Sequence, residues 1–270
     1  MEPLVAITRG DGPLVAAALH AGHAVRPDLL PHLALADDER LREEDPFTEH
    51  LATVAPTRIV GLRSRFEVDL DRPPEHAVYR TPEEAWGLTV WKDGVPETVF
   101  EASREAYRAA YAEIEAVLAE KVARYGSVVV FDVHAYNHRR EGPDGPFAQE
   151  EENPEVDVGT GSLDRARWGP LVDRFVRELR VAGEATALRF GLDVRENVRF
   201  RGGYFAEWAH ARFADRACVL ALAFKKTFMD EWTGGLYDEH LDALRAALAL
   251  TVPGVLEERA RLTPTAAAEA

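Results

Sequence analysis

Histidines, carboxylates and arginines follow a short apolar run near the middle of the sequence. The run VVVFDV (128–133) is continued by HAYNHRR, so Asp132 and His134 are two residues apart at the end of a predicted strand. Alternate residues of a strand share a face, so Asp132 could orient His134 through its second ring nitrogen, as carboxylates do for metal-bound histidines. Taken alone, His134 is equally well interpreted as a hydrogen-bonded structural histidine.

Two further polar clusters supply the other ligand types of a metal site. His20 lies in LHAGH (19–23), directly after an apolar run, and Glu44 and Asp45 lie in the acidic stretch REEDP (42–46). A histidine, a carboxylate and a second histidine can form an open zinc site that keeps one position for water. Each cluster alone is more typical of a structural histidine or a solvated loop, and neither CxxC nor HExxH spacing occurs. Only the three clusters together indicate metal chemistry.

Composition and charge argue against several classes of protein. The 270 residues include 47 acidic and 32 basic side chains, and the net charge of −15 argues against nucleic acid or an anionic membrane as the main partner. The single cysteine, Cys218, excludes a disulfide framework and favours a reducing compartment. No segment approaches the roughly 18 apolar residues of a membrane span, and the N-terminus lacks the pattern of a signal peptide. We expect a cytoplasmic protein that acts on a small molecule; its oligomeric state stays open.

Apolar runs that alternate with helical periodicity predict the elements that position these side chains. The predicted strands are 13–19, 57–62, 66–70, 127–133 and 217–224, and the predicted helices are 101–126, 168–181 and 238–250. This alternation predicts an α/β fold, a single three-layer domain over residues 1–262 with a mixed, mostly parallel sheet flanked by helices, and a disordered tail over 263–270. In such sheets the ligand site lies beyond the carboxyl ends of the strands, where the polar clusters are expected to meet.

Eight segments, spread in order from about His20 to Gly234, carry a resemblance to a known family. They are LHAGH, REEDPFTEHL, SRFEVDLDRP, WGLTVW, FDVHAYNHRR, NPEVDVGTG, ENVRFRGG and FKKTFMDEWTG. Together they resemble the N-formylglutamate amidohydrolase family, a branch of the zinc-carboxypeptidase-like hydrolases that includes aspartoacylase-type deacylases. The resemblance implies a zinc-carboxypeptidase-like fold and zinc-dependent hydrolysis of a linear amide, in an N-formyl or N-acyl amino acid or a small peptide.

The resemblance also implies roles for individual residues. One Zn²⁺ per chain would be held by His20, Asp45 and His134, with Glu44 as the alternative carboxylate, and it would activate a water molecule. Arginines would bind the substrate's carboxylate, since a planar guanidinium makes paired hydrogen bonds with it. Arg72 in DLDRP is the first candidate, and the further candidates, for each of which a salt bridge is an equally good interpretation, are Arg63, Arg65, Arg139 and Arg140.

Three positions depart from the family pattern. Asp71 replaces the asparagine of the family's DLNRP, and its charge would repel a substrate carboxylate. Ala135 replaces a serine beside His134. Ala223 stands where the subgroup tends to carry a glutamate, the expected general base, whose removal typically costs about 10²–10⁴-fold in rate.

Ala223 leaves three explanations open. The chain can be a catalytically impaired homologue that binds a small ligand or a partner protein; another carboxylate, such as Glu207 or Asp71, can act as the base; or the alanine can be an introduced inactivating substitution. A peptidase of the same superfamily would differ only in its leaving group. The surviving set of histidines and carboxylate favours the enzyme.

For three remaining features, a purely structural role is at least as good an interpretation as a direct role in ligand binding. Trp86 and Trp91 in WGLTVW are expected to pack in a loop next to the site, and GTG (159–161) is expected to form a tight turn. Lys225 and Lys226 either neutralise nearby carboxylates or lie exposed at the edge of the sheet.

Overall fold

The computed structural model describes residues 3–263, which form one seven-stranded sheet between two layers of helices. The strands are β1 (Val5–Thr8), β2 (Leu14–Ala18), β3 (Thr57–Gly61), β4 (Val128–Tyr136), β5 (Val156–Gly159), β6 (Val194–Glu196) and β7 (Ala217–Lys225). The α-helices are α1 (Asp37–Glu43), α2 (Thr48–Leu51), α3 (Glu97–Tyr125), α4 (Arg165–Ala182), α5 (Tyr204–Phe213) and α6 (Asp238–Leu262). The predicted three-layer α/β architecture is confirmed.

The sheet is mixed and mostly parallel, as predicted. Its order is β1-β3-β2-β4-β7-β5-β6. The central strands β3, β2, β4 and β7 are parallel to one another, whereas β1 runs antiparallel to β3 and β5 runs antiparallel to β7. The carboxyl ends of β2, β4 and β7 therefore lie side by side, at the edge where such sheets bind their ligands.

Strand β4 shows how the apolar sequence divides between the two helical layers. Val129 belongs to the core that contains α4 and α6, whereas Val128 and Val130 belong to the core that contains α3 and α5. Asp132 and His134 follow Val130 at two-residue steps and continue its face of the strand. The apolar alternation thus delivers both polar side chains to the same side of the sheet.

Four of the five predicted strands are confirmed, with changes of one to three residues at their ends. The most important change is in β4, which runs on to Tyr136. His134 therefore lies inside the strand, opposite Ala223 of β7, rather than beyond the strand's end. Pairing of β4 with β7 therefore fixes the backbone position of His134.

The prediction of a strand over 66–70 is wrong, because this segment folds as consecutive turns. Its short apolar run, in which Glu67 and Asp69 alternate with apolar residues, predicts a buried strand. Both acidic side chains are in fact fully buried. They pair with Arg63 and Arg65 at 2.7 Å each, so neither side of the segment faces solvent.

The three predicted helices are confirmed, and α6 extends twelve residues beyond the predicted end at Leu250. Its buried face continues across Pro253 through Thr251 and Val255. Strands β1, β5 and β6 were not predicted, because three or four residues are too few to establish a two-residue period.

Two sequence predictions concern the ends of the chain and its surroundings. Among residues 3–263 no helix is both long and apolar enough to cross a membrane. Of the predicted tail, only Thr263 lies within the described residues, and its amide donates a hydrogen bond to the carbonyl of Arg259. The single cysteine, Cys218, is fully buried in β7.

Candidate active site

His20, Asp45 and His134 meet at the carboxyl ends of β2 and β4. One possible ligand atom from each residue lies within 4.8 Å of the other two. Oδ2 of Asp45 is 3.5 Å from Nδ1 of His20 and 3.1 Å from Nδ1 of His134. The structure therefore brings together the three residues that the family resemblance implied, from segments that are far apart in the sequence.

A second aspartate lies behind each histidine ring. Oδ1 of Asp69 is 2.7 Å from Nε2 of His20, and Oδ1 of Asp132 is 3.1 Å from Nε2 of His134. Both aspartates are fully buried. Carboxylates in this position fix the orientation of metal-binding histidines and strengthen them as ligands. Asp132 lies where the sequence predicted, whereas the equivalent role of Asp69 was missed.

Several buried polar atoms of this cluster have no hydrogen-bond partner among the described residues. They are Nδ1 of His20, Nε2 of His134 and both carboxylate oxygens of Asp132, whose 3.1 Å approach to His134 is not directed as a hydrogen bond. Unpartnered buried polar atoms are rare and call for a specific explanation. Two imidazoles and a carboxylate form a donor set that Zn²⁺ accepts, so these residues fit a zinc ion.

The charges of the cluster support one another. Burial and the nearby Arg65 lower the pKa of His20, but Asp69 and Asp45 outweigh them and raise it above its usual value. Burial likewise opposes the raised pKa of His134, which Asp132 and Asp45 impose. The pKa of Asp45 is lowered, because hydrogen bonds to the two histidines outweigh its burial. The cluster thus holds cations strongly, whether protons or a metal ion.

Glu44, the alternative carboxylate, points away from the histidine pair. Its Oε2 is 2.5 Å from Nδ1 of His23, and its other oxygen accepts a hydrogen bond from the hydroxyl of Ser64. Arg40 lies 3.6 Å from the same carboxylate. With Glu44 engaged in these contacts, the geometry favours Asp45 as the ligand.

Hydrogen bonds from Lys226 hold the loop that carries Asp45. The ammonium group of Lys226 is buried and donates to the carbonyls of Arg42 and Glu44, at 2.6 and 2.7 Å. Burial lowers the pKa of this amine to about 8. Lys226 is therefore not an exposed edge lysine; it fixes the backbone immediately before Asp45.

The loop after β4 has a comparable anchor in the FMDEWTG segment. Glu231 is buried and accepts hydrogen bonds from the backbone amides of His138 and Arg139, at 2.8 and 2.9 Å. Arg42 packs over the ring of Trp232 at 4.0 Å. This segment therefore supports the loops around the cluster from outside.

A cavity of about 400 Å³ opens over the cluster. It is lined by the three clustered residues together with Arg65, Asp71, Trp86, Ala135, Ala221, Ala223 and residues 199–203. Its size suits a small molecule rather than a folded partner. Trp86 is 52% exposed and forms part of the wall, whereas Trp91 packs inside, so packing alone accounts for only one of the two tryptophans.

Asp71 is the carboxylate that lines the cavity beside Asp45. Its Oδ2 lies 3.9 Å from Nε2 of His134, and its Oδ1 accepts the amide of Phe205 at the start of α5 at 2.9 Å. A side chain at position 203 is excluded, because a Cβ on Gly203 would lie 1.9 Å from Asp71. Burial raises the pKa of Asp71 to about 6.

Asp71, Asp132 and His134 form a second group that could hold a cation. Because this group shares His134 with the first, the two are alternatives rather than neighbours. The other carboxylate considered from the sequence, Glu207, is exposed on α5 and does not line the cavity.

Ala223 contributes only a methyl group to the cavity wall. It lies directly opposite His134 in the sheet, and the neighbouring wall residue Ala221 is equally small. An acid or base is therefore absent from this position, and the effect of that absence on the reaction stays a prediction.

The structure separates the arginines proposed for substrate binding. Arg65 lines the cavity, pairs with Asp69 at 2.7 Å and lies 4.8 Å from the ring of Trp86. Arg72, the first candidate, is not part of the wall, because its guanidinium donates to the carbonyl of Glu84 at 2.6 Å.

The remaining arginine candidates lie farther from the cluster. Arg63 pairs with the buried Glu67, and Arg139 lies 3.6 Å from Asp230. Arg140 lines a smaller adjoining cavity of about 100 Å³. Two arginines that do line the main cavity, at positions 199 and 201, were not singled out from the sequence. Their only signal was the pattern RFRGG, in which two arginines flank an aromatic residue.

The fold and the cluster define a class of protein, an α/β domain that carries histidines and carboxylates at the carboxyl edge of its mixed sheet. The family model described as "FGase: N-formylglutamate amidohydrolase" matches residues 12–229. The chain therefore belongs to the N-formylglutamate amidohydrolase family, and the resemblance seen in the eight segments is confirmed. Membership supports a hydrolase that acts on an amide bond.

Solved structures confirm the fold. The crystal structure of N-formylglutamate amidohydrolase from Ralstonia eutropha JMP134 has 18% identity, covers 95% of this chain and 98% of its own, and gives a TM-score of 0.72. The structure of a gene product from Agrobacterium tumefaciens has 19% identity, covers 96% and 95%, and gives a TM-score of 0.64. No curated protein matches the chain significantly.

Proposed function

We propose that the protein is a zinc-dependent amidohydrolase that cleaves the linear amide of an N-formyl or N-acyl amino acid. Family membership supports the amide bond as the target. The observation that supports a metal ion is the convergence of His20, Asp45 and His134, together with the buried Nδ1 of His20 that has no hydrogen-bond partner among the described residues. Three protein ligands of these types leave one position for water or substrate, which is typical of catalytic zinc with one ion per chain.

A bound zinc ion would act as a Lewis acid toward the amide carbonyl and lower the pKa of water at the open position. Asp69 would keep the ring of His20 oriented by its hydrogen bond to Nε2, and the charge of Asp132, 3.1 Å from Nε2 of His134, would support the second ring. The buried Lys226 holds the backbone immediately before Asp45 by its hydrogen bond to the carbonyl of Glu44.

We assign proton transfer to Asp71. Among the described residues that line the cavity, it is the carboxylate left over once Asp45 serves as a ligand. A nearby cation lowers the pKa of a carboxyl group, so Asp71 would be ionised at neutral pH. It would then accept the proton of the attacking water and pass it to the nitrogen of the leaving amine.

A second candidate function is binding of a small ligand without turnover. The observation in its favour is the methyl wall formed by Ala223 and Ala221, where a stronger base would be expected. Tight ligand binding without release of a free amine would distinguish this function from hydrolysis.

The deciding experiment is the zinc content per chain of the purified protein beside that of His134→Ala. A matched control is His76→Ala, which removes a histidine that is 59% exposed in its side chain. We expect about one zinc ion in the parent and the control and little in His134→Ala. Release of amine from a panel of N-formyl and N-acyl amino acids and short peptides then identifies the substrate class. Absence of zinc from the reconstituted parent would overturn the mechanism.

A further inference from the structure

The loop over residues 197–203 presents two arginines to the cavity. Arg199 and Arg201 both line it, on either side of Phe200. Within residues 3–263, neither guanidinium pairs with a carboxylate, whereas Arg65 pairs with Asp69. Arg199 donates one hydrogen bond, to the amide oxygen of Asn153 at 2.7 Å. Two positive charges without a counter-ion are notable in a chain with a net charge of −15.

The loop is held rigidly from inside the sheet. Asp157 of β5 is fully buried, and its carboxylate accepts the backbone amides of Val198, Arg199 and Phe200 at 3.0, 2.6 and 2.8 Å. Hydrogen bonds to a charged acceptor are stronger than neutral ones. The backbone that carries the two arginines is therefore fixed before any ligand arrives, which lowers the entropic cost of binding one.

The glycines of GTG allow this loop to approach the sheet. A Cβ on Gly159 would lie 2.4 Å from the nitrogen of Gly202, and a Cβ on Gly161 would lie 2.8 Å from the carbonyl oxygen of Arg201. Gly202 also has a φ of +97°, which side chains rarely adopt. The GTG segment is thus more than a tight turn, because the backbone of the loop that carries both arginines packs directly against it.

The chemistry of the loop identifies its ligand. A planar guanidinium makes paired hydrogen bonds with a carboxylate, and Phe200 offers apolar surface between the two charges. A dianion such as phosphate fits less well, because Asp45 and Asp71 in the same cavity repel two charges more than one. Within the proposed function, the group in question is the free carboxylate of the acylated amino acid.

We infer that Arg199 and Arg201 are the specificity-determining residues that bind the substrate's carboxylate, in place of Arg72. The assignment of an amino-acid substrate rests on the proposed function, whereas binding of a carboxylate in this cavity does not.

The test compares equilibrium binding of N-acetylglycine and N-acetylleucine with binding of their uncharged carboxamides, by titration calorimetry. The variants are Arg199→Ala, Arg201→Ala and the double variant, and the matched control is Arg177→Ala on the exposed side of α4. We expect each single substitution to weaken binding of the acids about 10- to 100-fold, the range for a lost hydrogen bond to a charged group, with little change for the carboxamides. Arg177→Ala should alter neither, and Arg199→Lys should fall between parent and alanine variant.

Turnover of the same acids separates the two proposals. If the acids bind through the two arginines but no amine is released, the inference stands and the hydrolase fails. If amine is released with an unchanged KM in the double variant, the hydrolase stands and the inference fails. Equal affinity of the parent for acids and carboxamides, or stronger competition by inorganic phosphate than by acetate, would also overturn the inference.

Discussion

Asp71 is the residue on which the chemistry of the cavity depends most. It lies 3.9 Å from His134 and is fixed by the amide at the start of α5. Asp71→Asn keeps the shape of the side chain but removes its capacity to accept a proton. We expect kcat to fall about 10²–10⁴-fold while the zinc content stays at the parent value. Steady-state kinetics beside metal analysis measures both, and an unchanged kcat would remove Asp71 from the reaction.

The same substitution tests selectivity independently of rate. The carboxylate of Asp71 repels a second carboxylate on the substrate, so it should disfavour N-formylglutamate relative to N-formyl amino acids with neutral side chains. Asp71→Asn should therefore lower KM for N-formylglutamate specifically. If N-formylglutamate is the best substrate of the parent and its KM does not improve in the variant, this role of Asp71 is wrong.

Ala223 can be tested by restoring the missing group. Position 223 lies opposite His134 and borders the cavity, so a glutamate there would reach the reacting atoms. We expect Ala223→Glu to raise amide hydrolysis at unchanged zinc content, with the larger gain in the Asp71→Asn background. Ala221→Glu provides a neighbouring control. No gain in either background would show that a base at position 223 is not what limits the rate.

At this scale the sequence predicted the contacts that are local or carried by family motifs. Asp132 and His134 are two positions apart, so their shared face followed from strand geometry alone. Asp69 and His20 are 49 positions apart, and their contact depends on how a loop folds back over β2. Arg199 and Arg201 were not singled out for the same reason, since only the fold brings their loop beside the cluster.

At the scale of elements, Lys226 adds a buried support to the loop before Asp45, whose own backbone bonds include the one from the amide of Asp45 to the carbonyl of His20. Lys226→Met approximately keeps the length of the side chain and removes the ammonium group with its two hydrogen bonds to the carbonyls of Arg42 and Glu44. We expect zinc affinity to fall about 10- to 100-fold, as for other supporting residues of metal sites, although no ligand is changed.

Competition with a chelator measures this loss, and circular dichroism verifies that the fold is retained. The control is Lys225→Met, because the neighbouring lysine is only half-buried and donates none of the hydrogen bonds by which Lys226 holds the loop. Equal zinc affinity in both variants would mean that the loop keeps its position without Lys226.

Elements were predictable where their pattern was long enough and their polar residues faced water. Helix α3, with 29 residues, has a pattern long enough to recognise even though Ser103 and Lys121 are buried, whereas β6 has only three residues. In segment 66–70 the polar residues do not face water, so the second condition is not met. Its acidic residues are buried as ion pairs, so alternation no longer distinguishes a strand from a turn.

At the scale of the whole molecule, His210, which lies outside the candidate active site, makes the free energy of unfolding depend on pH. Its Nε2 accepts the amide of Val219 at 3.0 Å, and its Nδ1 lies 2.8 Å from the hydroxyl of Ser162. Burial lowers its pKa to about 4. Between this value and the usual 6.5, the unfolded chain binds a proton that the folded chain does not, so stability is lost as the pH falls.

The loss attributable to His210 is about 3 kcal/mol once the pH has fallen below its folded-state pKa, which burial lowers from 6.5 to about 4. Urea unfolding of the parent and of His210→Gln at pH 7.5 and pH 5 isolates it, because all other titrating groups are common to both proteins. We expect the stability advantage of the parent to shrink at the lower pH. An advantage that does not change with pH would show that His210 titrates normally in the fold.

The reactivity of Cys218 reports how often the centre of the sheet opens. It is the chain's one thiol, it is fully buried in the strand that carries Ala223, and burial raises its pKa above the usual value. A thiol reagent can therefore label the protein only after β7 has parted from its neighbours. With the reagent in excess, the rate of labelling measures how often β7 separates transiently from its neighbouring strands. A ligand that contacts the ends of both β4 and β7 would slow this rate without contacting the sulfur atom.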